Sequence, residues 1–272
     1  MNKPLPLSRA LAVARATALE AGALLRRNVT RRKRIGTKGY ATNLVTDTDR
    51  ASERLVLARL RRAFPDHGVY GEEHARVNPG APLQWYVDPL DGTTNFAHGF
   101  PMFCVSIGLA EGDRPLVGVV YQPMLDHLFC AVRGRGATLN GRRIRVSQTR
   151  AIGNALFGTG FPFDARTSAE NNLNYFAHFI GCARAIRRAG SAAYDLCAVA
   201  AGWYDGFWEM KLNAWDVTAG LLLIEEAGGR VTDFRGGPAT LHGRRFVCSN
   251  GRLHGAMLAV MRRAERHPVR IG

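Results

Sequence analysis

The stretch W-Y-V-D-P-L-D-G-T-T-N-F-A-H-G at residues 85–99 constrains this chain more than any other. It begins as a short apolar run that reads as a strand, then breaks abruptly at Asp88-Pro89. Pro89 fixes its own φ and is expected to end the strand ladder, while Gly92 opens a tight backbone path. Asp88 and Asp91, three residues apart at the mouth of a strand, are poor core material. Buried unpaired, either carboxylate is costly, and together they repel. A divalent cation removes both objections, because carboxylate oxygens with a backbone carbonyl are the ligands a hard ion such as Mg²⁺ takes. The plainer alternative is a polar β-turn with an Asp at its start and a Thr capping the next segment.

The acids that flank this stretch decide how much weight the turn reading keeps. Upstream, Glu72 and Glu73 follow Gly71 in a segment that reads as irregular. Adjacent loop acids usually face solvent, but these lie close enough to Asp88 and Asp91 for a fold to gather all four. Downstream, E-M-K-L-N-A-W-D-V-T-A-G puts Glu209 at a strand end and Asp216 at the start of an apolar helix. Asp216 also suits a plain helix N-cap. The G-S-A-A run at 190–193 suits either close helix packing or the floor of a substrate pocket at a helix N-terminus.

The remaining chain reads as layers of helix and sheet. Helices are predicted over 8–27, from Asp47 or Asp49 as cap to Pro65, over 171–180, from Ser191 to 200, over 216–226 and over 253–263. Strands are predicted near 43–46, 103–110, 116–121, 127–132, 155–160, 183–187, 203–209 and 246–249, with an Asn140-Gly141 turn inside 139–146. An antiparallel meander in the first half and alternation in the second give an α+β expectation.

Composition excludes some functions and leaves others open. No run approaches the roughly 18 apolar residues of a membrane span. The N-terminal stretch lacks an apolar core followed by a small-residue cleavage site, so we expect a cytoplasmic chain. Five cysteines without C-x-x-C or zinc-like spacing read as buried, reduced thiols. The formal charge of +15 attracts phosphates and polyanions at long range. Its densest patch, R-R-N-V-T-R-R-K-R-I-G-T-K-G at 26–39, fits a solvated helix end and loop, a polyanion contact, or steering of a phosphorylated small substrate. Apart from Tyr40 no aromatic is interleaved, so a base-stacking platform is not indicated.

Three signals in register, G-E-E at 71–73, D-P-L-D-G-T-T-N-F at 88–96 and W-D-V-T-A-G at 215–220, closely resemble the inositol monophosphatase family of the lithium-sensitive, magnesium-dependent phosphatases. The resemblance runs from about the first helix to the last. The Thr94-Asn95-Phe96 continuation is similar to the inositol monophosphatase branch, whereas nucleotide and sulfur-assimilation relatives more often continue with Lys-Glu. It implies a layered α-β-α-β-α sandwich of the inositol monophosphatase/fructose-1,6-bisphosphatase type. It also implies a homodimer and lithium sensitivity. We expect one catalytic domain over 1–272, antiparallel-rich to about 150 and mixed from about 151.

Carried over residue by residue, the resemblance implies a first Mg²⁺ on Glu72, Asp88 and the Leu90 carbonyl. A second would sit on Asp88, Asp91 and Asp216, and a third, weaker one near Glu72. Thr93, supported by Asp49, would work with Glu72 on the attacking water. The Gly92 and Thr93 amides would bind phosphate oxygens. Asp91, Ala192, Glu209 and Asp216 would contact the sugar-alcohol hydroxyls, and Lys38 would lie on a loop near the metals. The implied substrate is myo-inositol 1-phosphate or another small polyol phosphate. Fructose 1,6-bisphosphate, histidinol phosphate and nucleotide phosphates stay open as alternatives. Some bacterial members associate with transcription machinery, so RNA or a partner from that machinery is a second expectation.

Overall fold

Ala10, Ala14, Ala18, Ala21 and Leu25 lie on one stripe of the first helix, α1 (Leu7–Asn28), and all are fully buried. Small side chains on that stripe let α1 lie close to its neighbours, as ridge-and-groove packing requires. The computed structural model describes residues 7–73 and 76–268. After α1, β1 (Ile35–Lys38) and β2 (Tyr40–Thr46) form an antiparallel hairpin that leads into α2 (Asp47–Ala63). The first eight-stranded sheet is then built from β3 (Gly68–Gly71), β4 (Arg76–Val77), β5 (Leu83–Asp91), β6 (Cys104–Glu111), β7 (Arg114–Gln122), β8 (His127–Val132), β9 (Gly136–Leu139) and β10 (Arg142–Arg143), with the short α3 (Thr93–Ala97) after β5. Its order is β10-β9-β8-β7-β6-β5-β3-β4, antiparallel throughout except between β3 and β5.

A second, five-stranded sheet is mixed. It comprises β11 (Leu156–Thr159), β12 (Ala185–Arg187), β13 (Gly206–Met210), β14 (Arg230–Thr232) and β15 (Arg245–Ser249), in the order β12-β11-β13-β15-β14. β11 runs parallel to β12 and β13, and β15 antiparallel to β13 and β14. The helices of this half are α4 (Leu173–Ile180), α5 (Ala192–Ala200), α6 (Ala214–Glu226) and α7 (His254–Arg266). Helices α1 and α2 cover one face of the large sheet. α5 and α6 fill the space between the two sheets, and α4 and α7 close the far face of the small one. The result is an α+β fold in five layers, α-β-α-β-α. Helices α5 and α6 are apolar nearly all round, as a layer sandwiched between two sheets must be.

Several local expectations change. Pro89 does not end its strand: β5 continues through it to Asp91, and the register to β6 shifts between Asp88 and Asp91. A bulge absorbs the missing N–H and turns the two aspartates out of simple alternation. Neither Asp47 nor Asp49 caps α2. Thr46 does, and Asp49, at the third helical position, returns a bond to the Thr46 N–H in a capping box. Asp216 likewise sits at the third position of α6, behind the N-cap Asn213. Helix α4 begins at Leu173, after Asn172 in the left-handed region at φ 70°. The strand expected from 203 begins at Gly206. The basic segment 26–39 is not all loop, since its end forms β1. Four cysteines are buried as expected, while Cys182 is half-buried. Among the described residues no helix is long and apolar enough to cross a membrane.

Candidate active site

The bulged end of β5 aims its acids at a cavity of about 580 Å³, lined among others by Glu72, Asp88, Asp91, Glu209 and Asp216. Several elements supply it. Glu72 comes directly after β3, with its N–H bonded to the Val87 carbonyl at 3.1 Å, so it stands beside the end of β5. Asp88 and Asp91 come from β5, Glu209 from β13 and Asp216 from the first turn of α6. The first half of the chain thus brings its acids to those of the second.

Local bonds fix each carboxylate. Asp88 Oδ1 accepts from the Leu90 N–H at 2.9 Å. Asp91 Oδ2 accepts from Ser191 Oγ and the Ala193 N–H, both at 2.7 Å. Ser191 stands at the N-cap of α5, but its hydroxyl serves Asp91 instead of capping the helix. Asp216 Oδ2 accepts from the Asn213 N–H at 2.6 Å. Asp49, fully buried, takes the Thr46 N–H at 2.8 Å, and its other oxygen accepts from Thr93 Oγ1 at 2.9 Å. Thr93 Oγ1 also lies 3.1 Å from the Leu90 carbonyl.

Gly92 joins β5 to α3 at φ +93°, a conformation that suits glycine. A Cβ there would stand 2.9 Å from the Met102 carbonyl and 3.2 Å from that of Gly190. Asn95 holds the same junction together, its Nδ2 donating to the Met102 and Ala189 carbonyls at 2.7 and 2.8 Å. Sequence reasoning assigned Asn95 no role at the site, although the residue lies inside the motif.

Burial and mutual repulsion shape the electrostatics. Desolvation, then the charges of Glu72, Asp91 and Asp216, push Asp88 well above the usual carboxylate range. Asp216 is pushed well up by burial and then by the Glu72 charge. Asp91 is raised by burial against the bonds from Ser191 and Ala193, and Asp49 by burial against those from Thr46 and Thr93. Burial and the Asp91 charge bring Glu209 to about 8, with Arg188 opposing. Burial brings Glu73 to about 7, against its bond from Lys38.

Lys38 Nζ lies 2.7 Å from both Glu72 and Glu73. Burial works against its charge, but the two acids outweigh it and hold the ammonium protonated. Lys38 thus sits at a strand end and pairs with two acids, which the loop expectation did not include. No three Asp, Glu, His or Cys side chains among the described residues already converge as a metal cage. The donor chemistry nevertheless fits a hard divalent cation. Asp88, Asp91 and Asp216 face one cavity, where the charges of the other two raise Asp88, and the oxygens supplied are carboxylate and carbonyl, with no His or Cys ligand. Cys104 lies 3.7 Å from Asp91 but is fully buried and is not among the residues that line the cavity.

The family model described as "Inositol monophosphatase family" matches residues 7–266. The Nus factor SuhB of Pseudomonas aeruginosa is 44% identical over 257 residues, covering 92% of this chain and 95% of that protein. An inositol-1-monophosphatase of Synechocystis is 42% identical over 252 residues, covering 92% and 88%. Among solved structures, the inositol monophosphatase of Anabaena (Nostoc) superposes with a TM-score of 0.87 at 40% identity, over 94% of this chain and 96% of that one.

Proposed function

This chain belongs to the inositol monophosphatase family, and on that premise we propose that it hydrolyses myo-inositol 1-phosphate to myo-inositol and phosphate in a Mg²⁺-dependent reaction. As a family member it is a phosphoric monoester hydrolase for small phosphorylated polyols or sugars. The observation that carries the reading is the gathering of Asp88, Asp91 and Asp216, with Glu72, around one cavity. We read the chain as one catalytic unit, because β5 and α6 lie in different layers and both supply that cavity.

In this reading Glu72, Asp88, Asp91, Asp216 and the Leu90 carbonyl hold the magnesium, in two or three ions. The bound metal supplies Lewis acidity, orientation for in-line attack and neutralisation of charge on the leaving oxygen. The chain's own groups do the rest. Thr93 gives its hydroxyl hydrogen to Asp49, which leaves its lone pairs to accept a hydrogen from the attacking water. Glu72 takes the proton that the water loses as it bonds to phosphorus. The P–O bond to the inositol oxygen breaks, that oxygen takes a proton from solvent water and leaves as a hydroxyl, and Glu72 returns its proton to solvent. The Gly92 and Thr93 amides bind the phosphate oxygens. Asp91, Ala192, Glu209 and Asp216 face the sugar-alcohol hydroxyls.

Phosphate release from a panel of inositol, sugar, histidinol and nucleotide phosphates, with and without Mg²⁺, tests this on wild type and Asp91→Asn. We expect Mg²⁺-dependent turnover, highest on inositol 1-phosphate, falling by at least about 10²-fold in the variant as one carboxylate ligand is lost. Best turnover of fructose 1,6-bisphosphate, histidinol phosphate or a nucleotide keeps the mechanism and changes the substrate. Turnover indifferent to Mg²⁺ and to the substitution sinks the reading. Lithium inhibition belongs to the same reading and is measured in the same assay. A homodimer in the cytoplasm also belongs to it, and light scattering reads the dimer.

A second role, contact with RNA or transcription machinery, is supported by the charge of +15 and by the relative named as a Nus factor. RNA binding that weakens steeply with salt and survives Asp91→Asn is its expected signature. Salt-insensitive or absent binding removes it.

A further inference from the structure

Asp195 lines the same cavity, and the mechanism above does not use it. It lies in α5, where Ala193 to Ala200 are all buried, and an acid in the run A-A-Y-D-L-C-A-V-A breaks an otherwise almost wholly apolar helix. The residue is only 1% exposed. Its Oδ1 has no hydrogen-bond partner, and the Tyr204 hydroxyl is the neighbouring group that favours the charged form of the carboxyl. The groups that act on it are Glu209 and Asp91, Arg188 at the cavity lining, and Tyr204. A buried carboxyl oxygen left without a bond is costly, and an apolar residue of similar size would avoid that cost. Such an atom, on a residue that lines a cavity, is explained if a ligand completes it as the side chain turns toward the cavity.

Glu209 lines the cavity from β13, a different element, and is also a carboxyl. A leaving group with one free hydroxyl can satisfy only one of the two. A ring bearing several hydroxyls can meet both at once without bringing a charge into a wall that already holds Asp91 nearby. We propose that Asp195 is a specificity-determining residue that binds one hydroxyl of the leaving group while Glu209 binds another, so that the site selects phosphate monoesters of polyols. This rests on the phosphatase reading and adds Asp195 to the residues that recognise its leaving group. Arg188 stands at the cavity to balance the two acids.

The test compares myo-inositol 1-phosphate with cyclohexyl phosphate, an ester of the same ring without hydroxyls, on wild type, Asp195→Asn and Asp195→Ala in saturating Mg²⁺. The expected result is that kcat/KM for the inositol ester falls at least about tenfold more than that for cyclohexyl phosphate, the loss expected for one hydrogen bond to a buried carboxyl. Equal losses on both esters mean that Asp195 only supports the fold and overturn the inference, as does no loss on either. Should both variants fail to fold, Asp195→Leu takes their place in the same comparison, since an apolar residue of similar size removes the unbonded buried oxygen that costs stability. Hydrolysis without selectivity refutes this inference alone, whereas hydrolysis of neither ester refutes the phosphatase reading with it.

Discussion

At the scale of single residues, the acids divide between those the sequence displays and those it hides. Asp88 and Asp91 were legible because two carboxylates beside Pro89 and Gly92 make no sense as core. Asp195 was hidden, although a lone acid in an apolar helical run is a signal of the same kind. A sequence does not show which oxygen stays unbonded, and that depends on the packing of Tyr204 beside it. Glu209 offers a measurable consequence. In the folded, metal-free chain it holds its proton to about pH 8, and in the unfolded chain it loses it near its ordinary 4.5. Between those values the folded state binds more protons, so the stability is complete below about pH 4.5 and falls as pH rises through the window. Chelator-treated protein is therefore expected to lose unfolding free energy from about pH 5 to about pH 8. Glu209→Gln should reduce the slope without abolishing it, since Glu73, Asp88 and Asp216, all raised in the folded chain, contribute to it as well. Urea titrations at several pH values read this. An unchanged slope in the variant would assign it to other groups.

At the scale of elements, helix starts and strand ends were the places where sequence reasoning slipped, and each slip has a physical cause. Thr46, Asp47 and Asp49 are all good caps, and composition alone does not rank them. The fold ranks them by burial: Thr46 and Asp49 are both buried and bond to each other. The capping box thereby does two jobs, closing the first turn of α2 and orienting Asp49 toward Thr93. Pro89 was expected to end β5 because it donates no ladder bond. The strand passes through it because the Asp88–Asp91 register shift needs no donor there, and the Pro89 carbonyl instead accepts from Ser52 Oγ at 2.8 Å. The cap yields a prediction that separates structure from chemistry. Thr46→Ala should cost about 1 kcal/mol of stability, the usual value of a lost cap. It should also lower kcat by several-fold with little change in KM, because Asp49 loses the hydroxyl that helps hold it against Thr93. Denaturant unfolding and steady-state kinetics on one preparation measure both. A stability loss without any kcat loss would disconnect Asp49 from the reaction.

At the scale of the whole molecule, the layers bring like charges together. The antiparallel first half and the mixed second half were legible from hairpin signals and from the later alternation of strand and helix. Their stacking order came only with the family resemblance, which implied α-β-α-β-α, because apolar runs such as α6 say that a helix is buried without saying between which surfaces. That stacking sets Asp216 of α6 against Asp88 and Asp91 of β5, and burial plus repulsion among the acids pushes all three carboxyls up. Without a cation the fold therefore carries an electrostatic penalty localised where the layers meet, and a divalent ion relieves it from both sides. Mg²⁺ that binds the folded chain alone adds about 2.7 kcal/mol when free ion exceeds its Kd by about 100-fold. For a chain of this size that is a rise in Tm of roughly 5–10 °C. The rise should be reversed by EDTA, and should shrink in Asp91→Asn even though that substitution by itself removes a repelling charge. The variant's metal-free form is thus expected to melt no lower than the metal-free wild type, while its Mg²⁺-loaded form melts below the loaded wild type. Differential scanning calorimetry of the four states tests the crossing. Parallel shifts in wild type and variant would place the stabilising ion elsewhere on the molecule and remove the cavity's claim to it.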